Sequence, residues 1–146
     1  MSNTSSTDAR PFHRLPLTGI KVIDLPREIY FAVAREAKIQ KIPLAGHVPP
    51  SVRLTEASDA GQKSVEHLTG MGFEASIHEE QVRKECVGLE QNESSCAALW
   101  AERVDPTKAA EIYWRLARNH TWQVPTLILG HNYRCLADAF FANDRA

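Results

Sequence analysis

The chain has 146 residues, enough for one domain with a core of its own. Its formal net charge of −1 gives no electrostatic case for a nucleic acid or an anionic membrane as partner. No apolar run approaches the roughly 20 residues that span a bilayer, and the polar start MSNTSSTDARPFHR has no apolar centre of the kind a secretory leader needs.

Residues 1–18 are rich in Ser, Thr and Pro without periodicity and read as a disordered arm, leaving 19–146 as the folded domain. Gly19-Ile-Lys-Val-Ile-Asp24 reads as a strand, with β-branched residues around Lys21. A helix over about 26–40 follows, Pro26 suiting its first position, with Tyr30, Val33, Ala34 and Ala37 forming one apolar stripe. Ile42–Gly46 is a short apolar segment, as expected of a strand covered on both faces, and His47 follows it directly.

Thr55 is placed to cap a short helix, LTEASDA, which Gly61 ends. Lys63–His67 is the third strand. Residues 69–104 break the rhythm as a helical excursion. Within it, Ser76 and Glu79 have capping-box spacing at the start of a helix, and a second helix is expected over Ser95–Arg103.

Asp105-Pro106 opens a further helix to about Arg118, with Ala110, Tyr113, Trp114 and Ala117 assigned to its buried stripe. Trp122–Leu129 is the fourth strand, where Pro125 suits a strand start or an edge. The three tryptophans are assigned to packing rather than to a binding platform.

Alternating strands and helices predict an α/β fold with a parallel sheet. Side chains at the C-terminal strand ends of such a fold converge on one face, where its chemistry is placed. Lys21, His47 and His67 lie at or near the ends of three successive strands, and all three can serve a metal. His78 is expected on an exposed helix and His120 at a helix end in left-handed geometry. His131, just past the fourth strand, falls toward the site-facing end. The cysteines are Cys86, Cys96 and Cys135, an odd number with no C-x-x-C pair, so thiolate zinc is not expected. No G-x-S-x-G elbow, phosphate-binding loop or dinucleotide loop occurs.

The stretches GIKVID, PREIYFAVAREAK, GHVPPSV, EASDAGQKSVEHL and TWQVPTL together resemble the metal-dependent amidohydrolase superfamily, in its imidazolonepropionase-like and prolidase-like members. The spaced set GHVP, A-x-x-A-G-x-x-S-x-E-H and VPTL carries the likeness. It implies a partial (β/α)8 TIM barrel, strands four to seven, with about four parallel strands alternating with helices.

By the same resemblance Lys21 takes the place of a carbamylated bridging lysine, and His47 and His67 those of metal-binding histidines. The implied cofactor is a divalent metal, zinc first. The implied activity is hydrolysis of C–N bonds in a small amide, cyclic amide or peptide-like substrate. The family's H-x-H pair has no counterpart here, nor has its terminal Asp, so the resemblance also implies a fragment with little activity alone. The alternative is an inactive remnant or a binding domain that forms homo-oligomers through open sheet edges. As written, the chain is expected in the cytoplasm, or exported if its natural start lies upstream.

Overall fold

The β-branched residues flanking Lys21 do form a strand in the computed structural model, which describes residues 18–86 and 103–127. In chain order the elements are β1 (Ile20–Val22), α1 (Arg27–Ile39), β2 (Leu44–Gly46), α2 (Leu54–Asp59), β3 (Gln62–Glu66), α3 (Met71–Glu74), α4 (Glu79–Cys86), α5 (Pro106–Arg118) and β4 (Trp122–Val124). The four strands form one sheet in the order β1-β2-β3-β4, every pair parallel. The fold is therefore α/β, a four-stranded parallel sheet whose strands alternate with helices.

Register decides which side chains share a face. Lys21, Ala45, Ser64 and Trp122 form one row across the sheet, and Val22, Gly46, Val65 and Gln123 form the next. Successive rows point to opposite faces. The face carrying Val22 and Val65 is buried, whereas the face carrying Lys21 and Trp122 is open. The core gathers Val22, Tyr30, Ala34, Leu44, Leu54, Val65, Ile112 and Leu116. Burying a side chain such as Leu54 or Leu116 contributes about 1.5–3 kcal/mol before conformational entropy is counted.

The stripe expected on α1 is observed, with Tyr30, Ala34 and Ala37 buried and Val33 packed against them. On α5 the stripe is rotated. Ile112 and Leu116 are buried there, whereas Ala110, Tyr113, Trp114 and Ala117 face solvent, Trp114 at 78% exposure. Trp122 is likewise exposed, at 74%, so neither tryptophan packs in a core. Trp100 lies outside the described residues, as do residues 1–17 of the expected arm over 1–18, most of the expected helix Ser95–Arg103, Cys96, His131 and Cys135.

Two expected caps also differ. Thr55 is the second residue of α2, and its N–H and hydroxyl both donate to the buried Glu74 carboxylate. Ser76 stands in an isolated antiparallel bridge with Val104, and its Oγ accepts from the N–H of His78 at 3.1 Å, two residues short of α4. Asp105 does cap α5, accepting from the N–H groups of Thr107 and Lys108 at 2.8 and 3.3 Å. The last strand is shorter than expected, ending at Val124 beside Pro125. Among the described residues no helix is long and apolar enough to cross a membrane.

Helix α2 is tied to α1 by a two-pronged pair, Arg27 donating to both Glu56 oxygens at 2.8 and 2.6 Å. The hydrogen bonds from Arg27 are the main reason the Glu56 carboxyl is held down to about 2 from its ordinary 4.5. A carboxyl depressed on folding adds stability above its unfolded value and loses it as pH falls toward the folded one. Both side chains keep over a third of their exposure (42% and 35%), which limits the contribution to about 1 kcal/mol or less. We expect the melting temperature to fall between about pH 4.5 and pH 2. Arg27→Gln should flatten that decline in melts followed by circular dichroism, and identical acid slopes in the two proteins would refute the assignment.

Candidate metal centre

The site begins with a glycine. Gly46 ends β2 at φ +114°, and a Cβ there would lie 2.1 Å from the carbonyl oxygen of Val22. Only glycine combines that backbone angle with that approach. The approach lets the N–H of the next residue, His47, donate to Val22 O at 2.9 Å, so the ladder runs one step past the strand.

Gln62 fixes the same point from the other side. Its Nε2 donates to Gly46 O at 3.0 Å and to Ser64 O at 2.9 Å, while its Oε1 accepts from the Tyr30 hydroxyl at 2.6 Å. Burial pushes the Tyr30 phenol above its ordinary pKa, so it stays a donor.

Glu66 ends β3 and His67 follows it. The N–H of His67 donates to Val124 O at 2.8 Å, so this histidine too hangs from a ladder bond. His67 and Leu68 both have positive φ, 56° and 58°. Adjacent residues of an extended strand face opposite sides. The left-handed turn at His67 breaks that alternation and brings its ring to the side of Glu66.

Thr69 then joins the two strand ends. Its hydroxyl accepts from the N–H of Val48 at 2.9 Å and donates to Glu66 O at 3.1 Å.

Lys21, His47 and His67 do come together, around Glu66. Lys21 Nζ lies 2.8 Å from Glu66 Oε2, and His47 Nε2 lies 3.8 Å from the same oxygen. The two imidazole rings meet edge to face, 5.0 Å between centroids at 78°. One donor atom each from His47, Glu66 and His67 falls within 4.8 Å of the others. The Lys21 hydrogen bond is the largest cause holding the Glu66 carboxyl below its ordinary range. His78 is exposed ahead of α4, and His120 sits past α5 with φ 54°, as expected of it, both outside this group.

Glu66 and Thr69 are the site residues that sequence reasoning passed over. In the sequence Glu66 is one residue of the third strand, beside His67. Its signal was the register: one step past the Gly46–Val65 pair stand His47 and Glu66.

The donor set suits a divalent ion. Two imidazoles and an ionised carboxylate are a common three-ligand set for zinc, which keeps a further position open. Tetrahedral ligand atoms stand about 3.4 Å apart at zinc bonding distances, so binding would draw this group in by about 1 Å. Side chains that are partly exposed, as His47 and Glu66 are, can move that far. A cleft of about 290 Å³ at the opposite end of the sheet is rimmed by Lys38, Lys41 and Lys63 and holds no such donors.

No protein-family model matches the chain, and no curated protein matches it. Among solved structures, one described as "AH, Bottromycin amidohydrolase" is similar at 23% identity and a TM-score of 0.35, over 70% of this chain and 33% of that one. The chain thus spans about a third of the length of that protein. A likeness so distant carries no argument about the site, which stands on its own geometry.

Gly46 tests that geometry. Gly46→Ala should lower stability by about 2–6 kcal/mol, through left-handed strain and the clash with Val22 O. Urea unfolding would measure it, and a loss below about 1 kcal/mol would show that β1 and β2 tolerate separation there.

Proposed function

We propose that the chain is a metal-dependent, amidohydrolase-like protein acting on C–N bonds of small amides or cyclic amides, its sheet being part of a (β/α)8 barrel. The observation that carries this reading is the convergence of His47, Glu66 and His67 at the C-terminal ends of adjacent parallel strands. Parallel α/β folds place their chemistry at those ends. The spaced motifs GHVP and A-x-x-A-G-x-x-S-x-E-H support the same reading.

Zinc is the ion the donor set fits best; bound there it would supply an acidified water and polarise a substrate carbonyl. The chain's own part is to hold and orient. His47 and His67 present imidazole nitrogens from ladder-fixed backbone, and Thr69 keeps their two loops in register. The open face of the sheet leaves room beside them for a small substrate.

A second reading, a non-catalytic domain that pairs with another copy, is favoured by Trp122, Val124 and Leu127, all exposed at or just beyond the flanking strand β4. Metal binding separates the two readings.

Zinc-loaded protein should retain metal through dialysis, and His47→Ala and His67→Ala should each release it. Metal-loaded protein should then hydrolyse members of a panel of cyclic and acyclic amides. No retained metal would overturn the hydrolase reading and leave the pairing domain.

Thr69 adds a finer test. Thr69→Val removes both hydroxyl bonds and should weaken zinc about tenfold or more, whereas Thr69→Ser should restore binding. Equal affinity in the three proteins would remove Thr69 from the site.

A further inference from the structure

We propose that Glu66, and not Lys21, is the third protein ligand beside His47 and His67, so that the site takes one divalent ion and Lys21 serves as the charge partner of Glu66. The inference rests on the metal reading above and specifies its ligands.

Three observations carry it. Glu66 falls within 4.8 Å of both histidine donors, within the group that Lys21 Nζ borders. The left-handed backbone of His67 turns two consecutive residues, Glu66 and His67, toward one point. Such a strained conformation in a non-glycine residue persists where surrounding structure holds it, as the His67–Val124 ladder bond does here.

Lys21, finally, is already engaged. Its side chain is 58% exposed and its Nζ donates to Glu66 Oε2 at 2.8 Å. A carboxylate has lone pairs for two partners, so one oxygen can accept from Lys21 while the other meets an ion. A carbamate on Lys21 would instead set a second anion against Glu66, which like-charge repulsion disfavours.

The test is equilibrium dialysis against zinc, with bound metal counted per chain by elemental analysis and folding checked by circular dichroism. It uses wild type, Glu66→Gln and Lys21→Met, each with and without added bicarbonate, the source of any carbamate. We expect one ion per chain, a loss of affinity of roughly 100-fold in Glu66→Gln, less than about tenfold in Lys21→Met, and no effect of bicarbonate.

Two ions per chain, or a bicarbonate requirement abolished by Lys21→Met, would overturn the assignment even if Glu66→Gln failed to fold. Wild-type protein that holds zinc while a folded Glu66→Gln holds it equally would overturn the ligand assignment alone. Wild-type protein that holds none would overturn the metal reading with it.

Discussion

The buried amide of Gln62 is the joint of this structure. It lies at the start of β3 with no exposed surface. Its side chain accepts from Tyr30 on α1 and donates to the last residue of β2, and its backbone carbonyl accepts from the Thr121 hydroxyl ahead of β4 at 2.8 Å. One residue thereby ties a helix and the approaches of three strands. A fully satisfied buried network rigidifies what it joins. What it joins here is Gly46, whose position sets His47. Gln123 offers the contrast, since its amide is buried and finds no partner among the described residues.

The helices pack on this sheet through the apolar core, and polar ties fasten them to one another. At six residues α2 is far too short to persist alone. It is held to α1 through Arg27–Glu56, to α3 through Glu74, and to α5 through Arg115, whose guanidinium pairs with Asp59. Asn119 adds bonds to Ser58 Oγ at 3.0 Å and Asp59 Oδ1 at 2.8 Å. The loop between β2 and α2 carries His47 at its start. Arg83 of α4 donates to Pro50 O in that loop at 2.8 Å, and Arg53 at its end reaches Glu79 at 3.0 Å. The excursion after β3 thus bears on the loop that leaves the site.

Much of this was legible in the sequence where one signal stood alone. Strand and helix order, the α1 stripe and the Asp105 cap follow from periodicity and capping chemistry with no competing pattern. The α5 stripe failed because two stripes at helical spacing run side by side. Ala109, Ile112 and Leu116 compete with Ala110, Tyr113, Trp114 and Ala117, and the larger aromatics weighted the wrong one. The aliphatic stripe faces the core because α5 docks through Arg115–Asp59 and packs beside α2, a contact distant in sequence. Thr55 and Ser76 misled for a related reason: each has a cap-forming hydroxyl, and each spends it on a tertiary or local partner that sequence spacing does not reveal. Lys21, His47 and His67 were legible as a group because each lies at or near a strand end. Glu66 was not, because a residue beside a histidine in an extended strand belongs to the other face unless the backbone reverses.

That reversal determines what kind of site this is. Holding a non-glycine residue in left-handed geometry costs on the order of 1–3 kcal/mol, and two consecutive residues here adopt it. The cost is offset by bonds on either side, from His67 N to Val124 O and from Thr69 to Glu66 O. The gain is locality. His47, Glu66 and His67 come from two neighbouring strands, and their chief tethers, the Gly46–Val65 register, the Gln62 amide and the Thr69 hydroxyl, lie between those same strands. Two ladder bonds, His47 N to Val22 O and His67 N to Val124 O, extend that frame to β1 and β4. The affinity of this set for an ion would therefore be governed by β2 and β3 with their ladder bonds to β1 and β4, whereas any substrate would meet the open face beside Lys21 and Trp122.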